Sequence, residues 1–257
     1  MPAFSVIAKI GAPGSADRLR EIGRAPATRR EPDNVAHAFA TTGDGPADNL
    51  RRNLEYARSL AEAGNLLNRL QAGSFDPDDM FRAAWTQAVT ALDWWVAQEV
   101  RARILDLVAE DGTAVPDRLR RKEIPFAVLD DVRSGTRSVA EAVAEHFLDG
   151  KFSRQSYQGH EAIGEGFGLV LPSTTKLWPS VVKVLNEQAP GGTDSTLASV
   201  KDRLTEVAQR RHKIVHEYDS APDQPSGRNP INYKETLDAI QWIDTLTSAI
   251  NEVITRS

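Results

Sequence analysis

Residues 78–111 contain neither proline nor glycine, and this uninterrupted run is the strongest constraint on the fold. The segment Asp76-Pro77-Asp78 stands before it. That arrangement is typical of a helix N-terminus, because proline suits the first turn and carboxylates favour the positive end of the helix. We therefore predict one long helix that extends to about Asp111.

Apolar residues at helical spacing, together with capping residues, predict further helices on both sides of this run. Their expected ranges are 47–72, 138–148, 159–170, 174–188, 195–216 and 232 to the C-terminus. The expected N-caps are Ser138 with Glu141, the segment Thr193-Asp194-Ser195, and Asn232 with Glu235. No alternating strand pattern follows residue 11, so we predict an all-α helical bundle over residues 47–257.

Residues 1–46 differ from the rest of the chain because glycine and proline recur there among mixed charges. Such frequent breaks prevent a continuous helix. We predict that this part is an N-terminal extension, partly ordered, in which residues 3–10 form one short strand.

The composition excludes several kinds of chemistry. The chain has no cysteine, which removes disulfides, thiolate zinc sites and a cysteine nucleophile. Its net charge is −5, so a nucleic-acid substrate would need a local basic patch. No segment approaches the ~18 uncharged apolar residues of a membrane span, and the first residues lack the features of a signal peptide. We therefore expect a cytoplasmic protein that does not associate with membranes.

One position breaks the apolar stripe of the helix predicted from residue 195. The stripe includes Val200, Leu204 and Val207, and its next member at helical spacing is Arg211. Burying a charge without a partner is costly. Either an anion therefore meets Arg211 there, or this end of the helix reaches solvent or a carboxylate. Periodicity alone favours neither alternative.

A second break is Asp93, which shares a row of the long helix with Val89, Val96 and Val100. It is either a core carboxylate satisfied by a backbone donor or an arginine, or a residue that orients Arg211 or a catalytic histidine. We favour the first interpretation over a catalytic role. Since a pair with Arg211 would agree with both, Asp93 is a candidate supporting residue.

The segment RRHKIVHEYD at 210–219 concentrates the ionisable groups. His212 and His216 are four residues apart and share a helix face, as a pair of metal ligands would. However, Lys213 stands where a zinc protease carries its general-base glutamate, and a cation repels a metal, so no metal site is predicted. Imidazoles beside arginines suit a phosphodiester instead. Imidazole exchanges protons near neutral pH, and guanidinium stabilises charge on the phosphate.

Arg211 and His216 fit the motif of the HEPN superfamily, an arginine and a histidine separated by four residues near a helix end. The chain is similar in particular to the group called RiboL-PSP-HEPN, through AVTALDWWVAQEVRARI, KEIPFAV, SYQGHEAIGEGFGLVL and LWPSVVKVL. The resemblance covers about residues 80–250. His212 stands where the group usually has asparagine, and Glu217 where it usually has glycine. Glu217 places a negative charge beside His216, which would raise the histidine pKa or hinder phosphate binding.

The resemblance implies a metal-independent endoribonuclease with no cofactor, a toxin or antiviral-defence effector that cleaves single-stranded RNA as a homodimer with facing motifs. It also implies an antitoxin or another defence-system protein as a partner. By the same resemblance, Arg211 would stabilise the phosphorane, and His216 would act on the ribose 2′-hydroxyl or the leaving oxygen. His212 would hold or polarise the site.

Geometry limits how one chain could build this site. In an ideal helix Arg211 and His216 point about 140° apart. Either the helix ends between them, or a second subunit completes the site. A basic rim is expected to bind the RNA, formed by Arg210, Lys213 and the cations Arg118, Arg120 and Arg121.

Two other classes of protein stay open. One is a non-catalytic HEPN helical module that binds RNA, a nucleotide or a partner protein, since a fold does not guarantee an activity. The other is a helical scaffold with a charged helix end, which would leave Arg211 on the apolar stripe unexplained.

Overall fold

The computed structural model describes residues 45–71, 76–109, 114–151, 155–188 and 194–256, with the backbone alone for 150 and 151. Its α-helices are α1 (Pro46–Arg69), α2 (Pro77–Ala109), α3 (Asp117–Arg120), α4 (Phe126–Arg133), α5 (Val139–Val143), α6 (His160–Phe167), α7 (Leu177–Gln188), α8 (Leu197–His216) and α9 (Tyr233–Thr255). In these ranges the extended backbone pairs only at an isolated bridge between Ser220 and Arg228. The predicted all-α class is therefore confirmed for this part of the chain.

Asp44–Ser257 form one compact unit. The predicted extension, including its short strand at 3–10, lies almost entirely outside the described residues. No described helix combines the length and the apolar character that a membrane crossing requires.

The long helix α2 is the centre of the bundle, and it packs against α1, α5, α6, α8 and α9. A helix with neighbours on several sides has to be apolar on several sides. Accordingly, Leu92, Trp95, Val96, Val100 and Ile104 are all fully buried. This explains why α2 shows no single apolar stripe in the sequence, whereas α8 and α9 each show one.

Two of the three predicted helix caps are confirmed. Ser138 accepts a hydrogen bond from the Glu141 backbone in a complete capping box, and Asn232 accepts one from the Glu235 backbone at 2.9 Å. The helix after Ser138 differs in form from the prediction. It is α-helical only to Val143 and continues as a π-helix over Ala144–Lys151.

The third cap was predicted wrongly. Helix α8 is capped by Thr196, whose side chain accepts from the Ser199 backbone, and not by the segment Thr193-Asp194-Ser195. The reason is a contact with α7. The side chain of Asn186 accepts from the backbone N–H of Ser195 at 2.7 Å and donates to its carbonyl at 3.0 Å. Because Ser195 is bound to α7 in this way, α8 begins after it.

Candidate functional site

The candidate site lies at the C-terminal end of α8, where the helix is fixed to α2. Leu204 and Val207 are fully buried, as the stripe predicted. The indole N–H of Trp85 in α2 donates to the carbonyl oxygen of Val207 at 3.1 Å. Arg211 and His216 follow within the next turns of α8. The part of the helix that carries them therefore comes directly after this fixed contact with α2.

Arg211 is half-buried at the end of this stripe. Its Nε is shielded from solvent and has no hydrogen-bond acceptor among the described residues. No described carboxylate lies within 4 Å of its guanidinium. Leaving such a donor unsatisfied costs about 1–3 kcal/mol. Pairing of Arg211 with a carboxylate, which was one part of the second sequence-based alternative, is therefore not observed among the described residues.

His212 and His216 form an exposed pair, and their predicted position on one helix face is confirmed. Their ring centroids are 4.8 Å apart, with 45° between the ring planes. Glu217 approaches this pair, with its Oε1 3.7 Å from Nε2 of His212. Among the described residues, no three His, Asp or Glu side chains come close enough together to hold a metal ion.

Arg211 and His216 do not converge within one chain. Helix α8 continues without a break through His216, so the first sequence-based alternative, that the helix ends between them, is wrong. Five residues of a regular helix correspond to a rotation of about 140° and a rise of about 7.5 Å. One side chain therefore points towards the bundle, while the other points to solvent.

The loop after α8 is anchored by a buried carboxylate that sequence reasoning missed. Asp219 is fully buried and accepts from Nε of Arg82 at 2.9 Å, from Nη2 of Arg210 at 3.0 Å and from Nδ2 of Asn229 at 3.1 Å. Arg82 is itself buried and also donates to the carbonyl of Asn229 at 2.9 Å. A signal was present, since Arg82 interrupts the apolar run FRAAW as Arg211 interrupts its own stripe.

The structure assigns different positions to the two cations predicted to bind substrate. The Nη2 atom of Arg210 is bound to Asp219 and to the carbonyl oxygen of Pro230 at 2.9 Å, which makes this residue part of the loop anchor, and its role in binding substrate stays a prediction. Lys213 is exposed, as a rim residue should be. Its backbone carbonyl also accepts from the N–H of Asp219 at 2.9 Å, so the helix end and the loop are joined there.

An open cleft of about 570 Å³ lies between α8, the following loop and the start of α9. Its charged lining is mixed, with Arg203, Lys213, Glu206, Glu235 and Asp238 among the residues that form it. Because both cations and carboxylates line it, the cleft itself is not a uniformly basic track for a phosphate backbone.

The arginines of α3 lie near a different part of α2. The Nη1 atom of Arg118 lies against the C-cap of α6, only 2.5 Å from where a Cβ of Gly168 would be. In the last turn of α6, Gly166 lies beside Val100 of α2. Trp85 and Val100 are separated by about 22 Å along α2. These arginines are therefore not part of the rim around Lys213.

Asp93 has a role in the fold. Its carboxylate accepts from the backbone N–H of Tyr157 at 2.5 Å, from Nε2 of Gln158 at 2.8 Å and from the hydroxyl of Ser156 at 3.1 Å. Among the described residues it bonds neither Arg211 nor a histidine. The supporting role predicted for Asp93 therefore becomes that of a half-buried carboxylate, satisfied by a backbone donor, which holds the segment before α6.

Tyr218 and Asp219 both have left-handed backbone conformations, with φ of 58° and 52°. Such a conformation costs roughly 1–2 kcal/mol for a residue with a side chain. The ring of Tyr218 is 78% exposed, and the guanidinium carbon of Arg228 lies 5.1 Å from its centroid. The strained turn thus buries a carboxylate and exposes an aromatic ring at adjacent positions.

Searches against protein-family models, curated proteins and solved structures found no match to this chain.

Proposed function

We propose that this chain is a metal-independent HEPN-type endoribonuclease that cleaves single-stranded RNA at a site formed by Arg211 and His216 in a homodimer. The observation that carries the proposal is the half-buried side chain of Arg211, which no described carboxylate neutralises. A phosphate beside its guanidinium would balance that charge. A cation kept without a counter-charge until substrate binds is the preorganised arrangement that stabilises a charged transition state.

The unbroken helix supports the dimer. Since Arg211 and His216 diverge on one helix, a two-fold axis near the end of α8 is the arrangement that brings His216 of one protomer towards Arg211 of the other. Val215, which directly precedes His216, is 45% exposed and offers apolar surface for such a contact.

The chemistry follows from the groups available. A base, His216 of the dimeric site, takes the proton of the ribose 2′-hydroxyl, and the 2′-oxygen forms a bond to phosphorus. The bond from phosphorus to the 5′-oxygen breaks, that oxygen takes a proton from solvent water, and the protonated His216 then returns its proton to solvent. The products are a 2′,3′-cyclic phosphate and a 5′-hydroxyl. Arg211 stabilises the charge on the phosphorane, and His212, 4.8 Å from His216, polarises or holds the site.

One observation favours a second candidate, a non-catalytic helical module that binds RNA, a nucleotide or a partner protein. The carboxylate of Glu217 lies 3.7 Å from His212 and is exposed. A negative charge at that place opposes the approach of a phosphate. This candidate keeps the fold and the dimer but lacks turnover.

The biochemical test is digestion of single-stranded RNA in excess EDTA, with analysis of the fragment ends. We expect 2′,3′-cyclic phosphate ends and no cleavage of DNA, which lacks the nucleophile. His216→Ala should reduce the rate at least about 10²-fold. Arg211→Met should have a similar effect without loss of stability, because it removes an unsatisfied buried donor.

His146→Ala is the matched control, because His146 is exposed and lies outside α8. Loss of cleavage in EDTA, 3′-hydroxyl ends or a fully active His216→Ala variant would contradict the mechanism. RNA binding without any cleavage would favour the non-catalytic module. A role as a toxin or defence effector is tested by expressing the wild type and His216→Ala in cells and comparing growth and cellular RNA.

A further inference from the structure

Tyr218 is the most exposed of the large hydrophobic side chains that the structure describes, and it lies two positions after His216. Its φ of 58° places a bulky residue in the left-handed region, where such residues are genuine outliers. Single exposed aromatic rings are ordinary on protein surfaces. An exposed ring on a strained backbone requires a physical explanation, because relaxing the turn would remove the strain.

The strain is maintained by the buried anchor of the following residue. Asp219, with φ of 52°, is fixed by hydrogen bonds from Arg82, Arg210 and Asn229. These contacts connect the turn to α2, to α8 and to the far side of the loop. Because Asp219 cannot move, the ring of the preceding residue is held outward in a defined position.

Arg228 covers one face of the ring. Its guanidinium carbon lies 5.1 Å from the ring centroid, within the range of a cation–π contact. The same side chain is held by Asp79 of α2, with Nη1 2.6 Å from Oδ1. With 78% of the residue accessible, the opposite face of the ring is open to solvent.

We propose that Tyr218 is a stacking platform for one unpaired base of the RNA substrate; this inference rests on the proposed ribonuclease function. A rigid ring with one covered and one open face is suited to stacking a planar base, and such stacking tolerates any sequence. Its position after His216 places the stacked base beside the scissile phosphate. The platform therefore accounts for a preference for single strands, because a base within a duplex has no free face to offer.

The test measures RNA binding by the full chain in a His216→Ala background, so that the probe stays intact. The probe is a fluorescent single-stranded oligoribonucleotide of mixed sequence. Tyr218→Ala should raise its Kd by about 5- to 150-fold, the range for removal of one stacked aromatic. Tyr218→Phe should bind as the parent does, because it keeps the ring. Tyr56→Ala is the matched control, since Tyr56 is an exposed tyrosine on α1.

Two further measurements separate stacking from a purely structural role. Tyr218→Gly should weaken RNA binding as Tyr218→Ala does without lowering the Tm, because glycine adopts positive φ without strain. An oligomer with the same phosphates but without bases should bind the parent and Tyr218→Ala equally. The inference would be overturned if Tyr218→Ala weakened binding of the abasic oligomer as much as it weakens binding of RNA. A lower Tm for Tyr218→Gly would also overturn it.

The remaining outcomes are also decisive. If the parent binds RNA and Tyr218→Ala binds it equally well, the platform is refuted while the ribonuclease proposal stands. If the parent binds no RNA, both fail. Light scattering completes the test, because a change of oligomeric state in Tyr218→Ala would assign the ring to a contact between subunits and overturn its role in stacking.

Discussion

Asp219→Ala should be strongly destabilising, although it removes only a small side chain. The substitution leaves the buried Arg82 with only the more distant carboxylate of Asp79, 3.3 Å from its Nη1, and deprives Arg210 and Asn229 of an acceptor. Breaking a buried ion pair by removing one partner costs about 3–5 kcal/mol. For a domain of this size, that corresponds to a decrease in Tm of roughly 6–20 °C.

Unfolding in urea, followed by circular dichroism, measures the change in the free energy of unfolding. The matched control is Asp48→Ala, which removes a carboxylate paired with Arg51 at the surface of α1. That exposed pair should contribute at most about 1 kcal/mol. The prediction is that Asp219→Ala lowers the free energy of unfolding by clearly more than Asp48→Ala does.

A double-mutant cycle shows whether the loss comes from the pair. Arg82→Met removes the charge but keeps most of the apolar volume, so the double variant with Asp219→Ala should cost clearly less than the sum of the single changes. Additive losses, or an Asp219→Ala variant as stable as Asp48→Ala, would refute the argument that this ion pair anchors the loop.

Lys213→Glu should weaken RNA binding and reduce the slope of log K against log salt by about 1 or more, whereas Lys183→Glu on α7 should not. Equal salt slopes for both variants would show that Lys213 does not contact phosphate. Ser138→Ala should lower the Tm at neutral pH, because it removes the side-chain part of the cap of α5. Hydrogen bonds from the backbone and hydroxyl of Ser138 hold the pKa of Glu141 below its usual 4.5. The stabilisation is therefore present above pH 4.5 and is lost as the pH falls through the lowered value. Thermal melts at several pH values should show the difference between the variant and the wild type shrinking on acidification, and a growing difference would contradict this assignment.

Local signals in the sequence predicted most of the helices. The run without proline or glycine predicted the end of α2 to within two residues, because the helix extends over Pro77–Ala109 and its expected end was Asp111. The caps at Ser138 and Asn232 were also found, because their partners are three residues away. Such features depend on neighbouring residues, which a single sequence displays directly.

Features that depend on distant residues could not be predicted. The start of α8 shifted because Asn186 binds Ser195, a contact between two helices that periodicity does not reveal. Asp93 stood out correctly as a carboxylate satisfied by a backbone donor, but its partners lie 63–65 positions further along the chain. The partners of Asp219 were missed for the same reason, and only the unusual position of Arg82 in an apolar run pointed towards them.

The contact between Arg82 and Asp219 spans 137 positions, and this separation has a consequence for biosynthesis. At 5–20 residues per second, the ribosome adds Asp219 about 7–27 s after Arg82. During that interval, α1 and α2 exist without the buried carboxylate that binds Nε of Arg82. The start of α2 therefore cannot reach its final environment, and the turn at Tyr218 cannot form, until Asp219 has been added. A nascent chain thus carries an unfinished candidate site throughout that interval.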